Sequence, residues 1–328
     1  MTPKKTRFST TRQRATEERE AIDRVIAGLA GRDPGSLSEE EIEQFSDLSR
    51  SACARLSSRW NEIDLPVRLA LVREMVSRFE TTTEYHFDRA LIASLSDEEV
   101  DVKLLALEGL TDTTDPGLLE WLVSSLPSEP SAVVRAAAIQ VAGQFILASE
   151  LGSLEEDLAV RIQHLVLSVM KNDPDAEVRL QGLESAAYLS GHPEVIAAID
   201  DAWLSPSHDD QVSALRAMGR QGDPRWSGII MNQFRSNEPE LRFEAARAAA
   251  TVGSQAMVPQ LVELTNDEDA EVRMAAIESL GSIGGEVAVS VLRELEQSDS
   301  PDVADAAGAA LEEALLSTTP TRAPRQLW

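Results

Sequence analysis

The chain has 328 residues, 43% of them hydrophobic but only 4% aromatic, and a formal net charge of −26. An apolar fraction drawn mainly from Ala, Leu, Val and Ile suits closely packed helices better than twisted sheets. The single cysteine excludes an intramolecular disulfide framework and any cysteine-rich zinc site, and the acidity opposes non-specific binding to phosphate backbones.

Residues 1–15 carry Lys4, Lys5, Arg7, Arg12 and Arg14 and no acid through position 14. Without apolar periodicity they read as a basic disordered tail, either a solvated arm or one that docks on an acidic partner. No secretory apolar core follows, and no run of about 18 apolar residues is seen, so no membrane span is expected and cytoplasm is the expected compartment. The folded body is expected over 16–316. Its first helix reads from Thr16 to Ala30, with Ile22, Val25, Ile26 and Leu29 at helical spacing and Gly31 as the stop. Ser38 and Glu41 make a capping box ahead of Ile42, Phe45 and Leu48. Cys53 sits among helix-like neighbours and reads as a buried structural thiol.

From Val67 onward one pattern recurs. NDPDAEVR at 172–179 and NDEDAEVR at 266–273 nearly coincide. Taking the Val before Arg as an anchor, the frame can be laid on Val67, Val102, Val134, Val178, Asp210, Leu241, Val272 and Val303, the last four spaced 31 residues apart. Such a period signals a solenoid. In one unit Val272, Ala276, Ile277, Leu280 and Ile283 share a helix face. Second helices start at Asp115-Pro116, His192-Pro193 and Asp223-Pro224, a capping residue before proline at the first helical position. The longer step from Val134 to Val178 holds extra sequence around Leu147 to Asp157, a longer helix pair or a protruding loop. Nine residues past the anchor stand Gly143, Gly219 and Gly281, with Ala187 and Ala250 elsewhere. A small residue there predicts close helix approach. Strand-like alternation is absent, and 317–328 read as a disordered C-terminal tail. The expected fold is all-α, a superhelical solenoid of about eight helix pairs.

The frame D-x-x-V-R-x-x-A-A/I-x-x-L-G-x-I-G, carried by Asp269, Val272, Arg273, Ala276, Leu280, Gly281 and Gly284, resembles the HEAT-like repeats known from phycobilin lyases. Weaker copies hold Asp175, Val178 and Arg179, and Gly219, Gly222 and Asp223. The resemblance covers roughly residues 60–316 and implies stacked antiparallel helix pairs with the anchor helices on the concave side. It also implies that the basic residue after each anchor (Arg68, Lys103, Arg135, Arg179, Arg242, Arg273) pairs with acids in the inter-repeat turns, with Gln211 and Ala304 as breaks.

Catalytic chemistry is not visible. His86, His164, His192 and His208 offer no helical metal pair, and none is followed by Glu. His192 reads as a helix cap, His208 as a turn residue, His164 as a partly buried helix residue and His86 as inter-helix packing beside Tyr85 and Phe87. No G-x-S-x-G, P-loop or dinucleotide fingerprint occurs. The expectation is a non-catalytic scaffold or adaptor without cofactor, metal or catalytic residues, binding another protein or peptide segment, with no nucleic acid on the folded body. The alternatives are a bilin lyase-like or other chromophore-handling enzyme, by family resemblance, and nucleic-acid handling of the HEAT-like glycosylase kind, which the acidity opposes. The partner site is placed on a stripe two and six residues past the anchors: Leu180, Val212, Phe243 and Met274 as an apolar edge, Arg216 and Arg247 as a charged edge. Phe243 and Met274, flanked by the two arginines, would be its centre. In the competing reading the apolar edge packs on the next repeat.

Overall fold

The computed structural model describes residues 5–81 and 85–318, with side chains for 16–78 and 85–316. All regular structure among them is helical. The chain divides into two compact units, residues 1–185 and 186–328.

The first unit holds α1 (Lys5–Leu29), α2 (Glu39–Glu43), α3 (Arg50–Arg59), α4 (Leu65–Thr81), α5 (Asp88–Ser94), α6 (Val100–Glu108), α7 (Pro116–Ser125), α8 (Ala132–Glu150), α9 (Glu156–Asn172) and nearly all of α10 (Ala176–Ala186). It is two-layered: α1, α3, α5, α7 and α9 pack in succession, as do α2, α4, α6 and α8. The capping box is present. Ser38 Oγ accepts from Glu41 N–H, and Glu41 reaches back to the Ser38 N–H at 2.9 Å. Asp115 caps α7 by accepting from Gly117 N–H at 2.7 Å. The backbone of α1 is already helical from Lys5, where the sequence predicts an unstructured arm, since no proline or glycine interrupts Lys5 to Ala27. Residues 1–4 and 319–328 of the two expected tails lie outside the described residues.

The extra sequence before Val178 is a longer helix pair: α8 has 19 residues and α9 has 17. By length and composition alone α8 is apolar enough to cross a membrane, although Arg135, Gln140 and Gln144 interrupt its apolar run. It packs against α6, α7 and α9, and Val134, Ala138, Ile139, Ala142, Phe145 and Ile146 are buried there.

The second unit holds α11 (Pro193–Leu204), α12 (His208–Gln221), α13 (Ser227–Gln233), α14 (Pro239–Val252), α15 (Val258–Leu264), α16 (Ala270–Ile283), α17 (Glu286–Leu295) and α18 (Pro301–Thr318). Here α12, α14, α16 and α18 stack side by side, and α11, α13, α15 and α17 each pack against the helix that follows. Every anchor falls in the first turn of an even-numbered helix, α4 to α18. Burying such a side chain contributes about 1.5–3 kcal/mol, and Val67, Val102, Val134, Val178 and Val272 are all buried. Position nine is small because the neighbour leaves no room: a Cβ on Gly281 would lie 2.8 Å from the Ala310 carbonyl oxygen, and one on Gly219 would lie 3.0 Å from Ala248 Cα.

The charged ladder forms in part. Arg68 pairs with Asp97 at 3.0 Å, and Asp97 also accepts from the indole N–H of buried Trp60 at 2.7 Å. Lys103 pairs with Glu129 at 2.6 Å. Arg135 grips Asp173 with two hydrogen bonds of 2.9 Å, and Arg242 grips Asp267 at 2.8 and 2.7 Å. Such forked pairs are the strong form of the interaction. Arg179 and Arg273 donate to their own turns, at the carbonyls of Asp173 and Pro174 and of Asp267 and Glu268. The Arg135 hydrogen bonds hold the Asp173 carboxyl below its usual value. Burial pushes the Asp267 carboxyl up, but Arg242 and the Asp269 N–H outweigh it and bring it below its usual value.

Candidate functional site

Three helix starts create a concavity in the second unit. Ser207 opens α12 by accepting from Asp210 N–H, proline at the first position opens α14, and Asp269 opens α16 by accepting from the N–H groups of Glu271 and Val272. Because these helices stack side by side, their first turns are neighbours. The result is a groove of about 490 Å³ lined by His208 and Arg216 of α12, Glu238 to Glu240, Phe243 and Glu244 at α14, and Asp269 and Glu271 at α16.

Its wall is charged and ordered. Arg216 reaches Glu244 at 2.7 Å and Glu240 at 3.6 Å, and His208 Nε2 lies 2.9 Å from Glu240 Oε2. Glu244 is only 3% exposed. A buried carboxylate needs cations beside it, and Arg247 is the second, at 3.7 Å. The Arg247 guanidinium also lies over the Phe243 ring, 5.6 Å from its centre, a cation–π geometry. Glu238 and Glu271 are exposed and make no ion pair among the described residues.

Of the six residues placed on the stripe from sequence, Arg216 and Phe243 line the groove and Arg247 stacks on Phe243. Met274 is half-buried outside the lining. Leu180 is half-buried and belongs to the first unit. Val212 departs from the expected surface stripe: Val212 to Leu215 are four consecutive buried residues, so α12 is enclosed on all sides at that turn. The acids escaped the sequence reading because they look like ordinary turn carboxylates. The available signal was that Glu240 and Glu271 fall in the first turns of successive anchor helices.

The histidines correct several expectations. His192 occupies the N-cap position of α11 without a capping hydrogen bond, and its buried Nδ1 has no partner among the described residues. His208 is the first residue of α12 rather than a turn residue. His164 is exposed because it sits on the outer face of α9. His86 is exposed too, since Phe87 is the buried residue there, stacked on Tyr85. His86 lines a smaller cavity of about 200 Å³ with Asp47, Leu48, Asp88, Arg89 and Asp115. Arg89 donates to the Leu48 carbonyl and to Asp115 in that cavity. Cys53 lies behind it, half-buried, its thiol donating to the Arg89 carbonyl at 3.1 Å. Burial, then the Asp115 charge, push this thiol up to about 11, so it stays protonated and unreactive at neutral pH. Among the described residues no group of three His, Cys, Asp or Glu is arranged to hold a metal ion.

Residues 229–312 match the family model of HEAT repeats. No curated protein sequence matches the chain significantly. Yeast importin-beta (Kap95p) superposes with a TM-score of 0.51 at 13% identity, over 93% of this chain and 45% of importin-beta. Kap95p bound to RanGDP gives 0.50 at 12% identity, over 92% and 46%. E. coli YibA gives 0.43 at 14% identity, over 74% and 96%. The fold is that of the HEAT-repeat proteins, a stack of helical hairpins, and this chain spans less than half the length of importin-beta.

Proposed function

We propose that this protein is a non-catalytic scaffold or adaptor that holds another protein, or a peptide segment of one, in the groove at the starts of α12, α14 and α16. The observation that supports this reading is the groove itself. A half-buried aromatic ring stands among ordered charges in a space sized for a few side chains, on the layer of helices that carries the anchors. Aromatic residues and Arg dominate binding energy where proteins meet. A segment with an apolar edge would rest on Phe243 while its polar edge meets Arg216, Glu240 and their neighbours. The acidity of the chain favours a protein over nucleic acid as partner. Kap95p bound to RanGDP is a protein of the same fold that binds another protein. On this reading the protein needs no cofactor and works in the cytoplasm.

The test is capture from a native lysate with the full chain, side by side with a variant carrying Phe243→Ala and Arg247→Ala. The expected result is a partner retained by the wild type and lost from the variant, at unchanged melting temperature. A retained set identical for both proteins would show that the groove is not the binding surface.

A further inference from the structure

We infer that the groove's occupant is a basic segment, and that an arginine side chain of the partner enters between Phe243 and the carboxylates of α14 and α16. The inference rests on the groove being a protein-binding surface, as proposed above, and adds the chemistry of what it binds. The first argument is charge complementarity. The lining holds five carboxylates (Glu238, Glu240, Glu244, Asp269 and Glu271) and one arginine, Arg216. Arg216 and Arg247 are committed to Glu240 and Glu244, while Glu238 and Glu271 have no ion-pair partner among the described residues. An anionic or purely apolar occupant would bury that excess uncompensated, which is costly.

The second argument is independent of charge counting. Phe243 already receives one guanidinium, that of Arg247, and Arg247 also reaches Glu244. The combination of a ring and a carboxylate is what a planar guanidinium recognises, by stacking on the one and donating to the other. Lysine, a compact and strongly hydrated point charge, makes less of the ring. A cavity of about 490 Å³ leaves space for a further long side chain beside those present.

The experiment uses the full chain and three labelled peptides of one amphipathic sequence, carrying arginine, lysine or glutamine at the polar positions, with binding read by fluorescence anisotropy at physiological ionic strength. The arginine peptide should bind more tightly than the lysine peptide, and at least about tenfold more tightly than the glutamine peptide. Glu238→Gln with Glu271→Gln should weaken the arginine peptide about tenfold. Glu294→Gln with Glu312→Gln, which removes the same charge from exposed helix positions of the same unit, should leave it unchanged. Equal weakening by both pairs would reduce the effect to the overall negative field and overturn the inference. So would glutamine and arginine peptides of equal affinity, or an arginine peptide that does not bind. In any of those cases a partner that is still lost from the Phe243→Ala, Arg247→Ala variant would keep the groove as a binding surface, so the two readings fail separately.

Discussion

The two units use one repeat in two ways. In the first, Arg68, Lys103 and Arg135 each pair with an acid in the turn before the next anchor helix, at Asp97, Glu129 and Asp173. In the second, Arg242 does so with Asp267, but the corresponding turns carry Ser205, Ser236 and Ser298. An acid at this position has two tasks. It accepts the backbone N–H two residues on, as Asp97 does from Glu99 and Asp267 from Asp269, and it receives the basic side chain. Serine performs the first task and not the second, as Ser205, Ser236 and Ser298 do for Ser207, Glu238 and Ser300. The turn therefore survives while the ladder lapses. Arg216 and Arg247, six past their anchors, instead meet Glu240 and Glu244 at the groove.

The sharpest way to break the first unit is Asp97→Ala. It strands the buried Arg68 and the Trp60 indole N–H together, and should cost about 3–5 kcal/mol in chemical denaturation. An unaltered midpoint would mean the pair contributes nothing. In the second unit the stack depends on close approach, so Gly281→Val, whose Cβ would meet the Ala310 backbone, should cost about 1–3 kcal/mol. The same substitution at Gly228, which has nothing within 4 Å of such a Cβ, should cost less.

Acid probes the ladder in both units. Asp173 and Asp267 are held below their ordinary 3.8 in the folded state. Groups depressed on folding stabilise above the unfolded pKa and cease to do so as pH falls through the folded one. Melting temperature should therefore decline on acidification below about pH 4, and the decline should be shallower in a variant carrying Asp173→Asn and Asp267→Asn. The smallest effect is a gain. Ser298→Asp keeps an acceptor for the Ser300 N–H and offers Arg273 an acid at the position that holds serine in the turn before the next anchor helix, so stability should rise by at most about 1 kcal/mol. A loss would mean that the α17–α18 turn cannot present a carboxylate to Arg273.

Much of this was legible because it is periodic. Position nine foretold the close contacts of Gly219 and Gly281, since only a small residue admits a neighbouring helix there. The ladder that the HEAT-like resemblance implied forms at four of its six expected basic residues, Arg68, Lys103, Arg135 and Arg242. The lapses were harder to see, because whether Arg179 or Arg273 meets an acid depends on a turn some 25 residues away rather than on its own frame.

The groove lay beyond the sequence for a related reason. Helical spacing put Phe243, Arg216 and Arg247 on one stripe, and it put Val212 there as well, although α12 is enclosed at that turn. Local periodicity fixes which way a side chain points from its own helix axis, to within about 100° per residue. It does not fix what stands opposite. Sequence alone determined the all-helical class, the anchor positions and proline-marked starts such as those of α7 and α11, because each of these follows from residues within one repeat. Tertiary structure alone decided that His208, Glu240 and Glu271, from three successive helix starts, share one space, because that depends on the lateral packing of neighbours and not on any single helix.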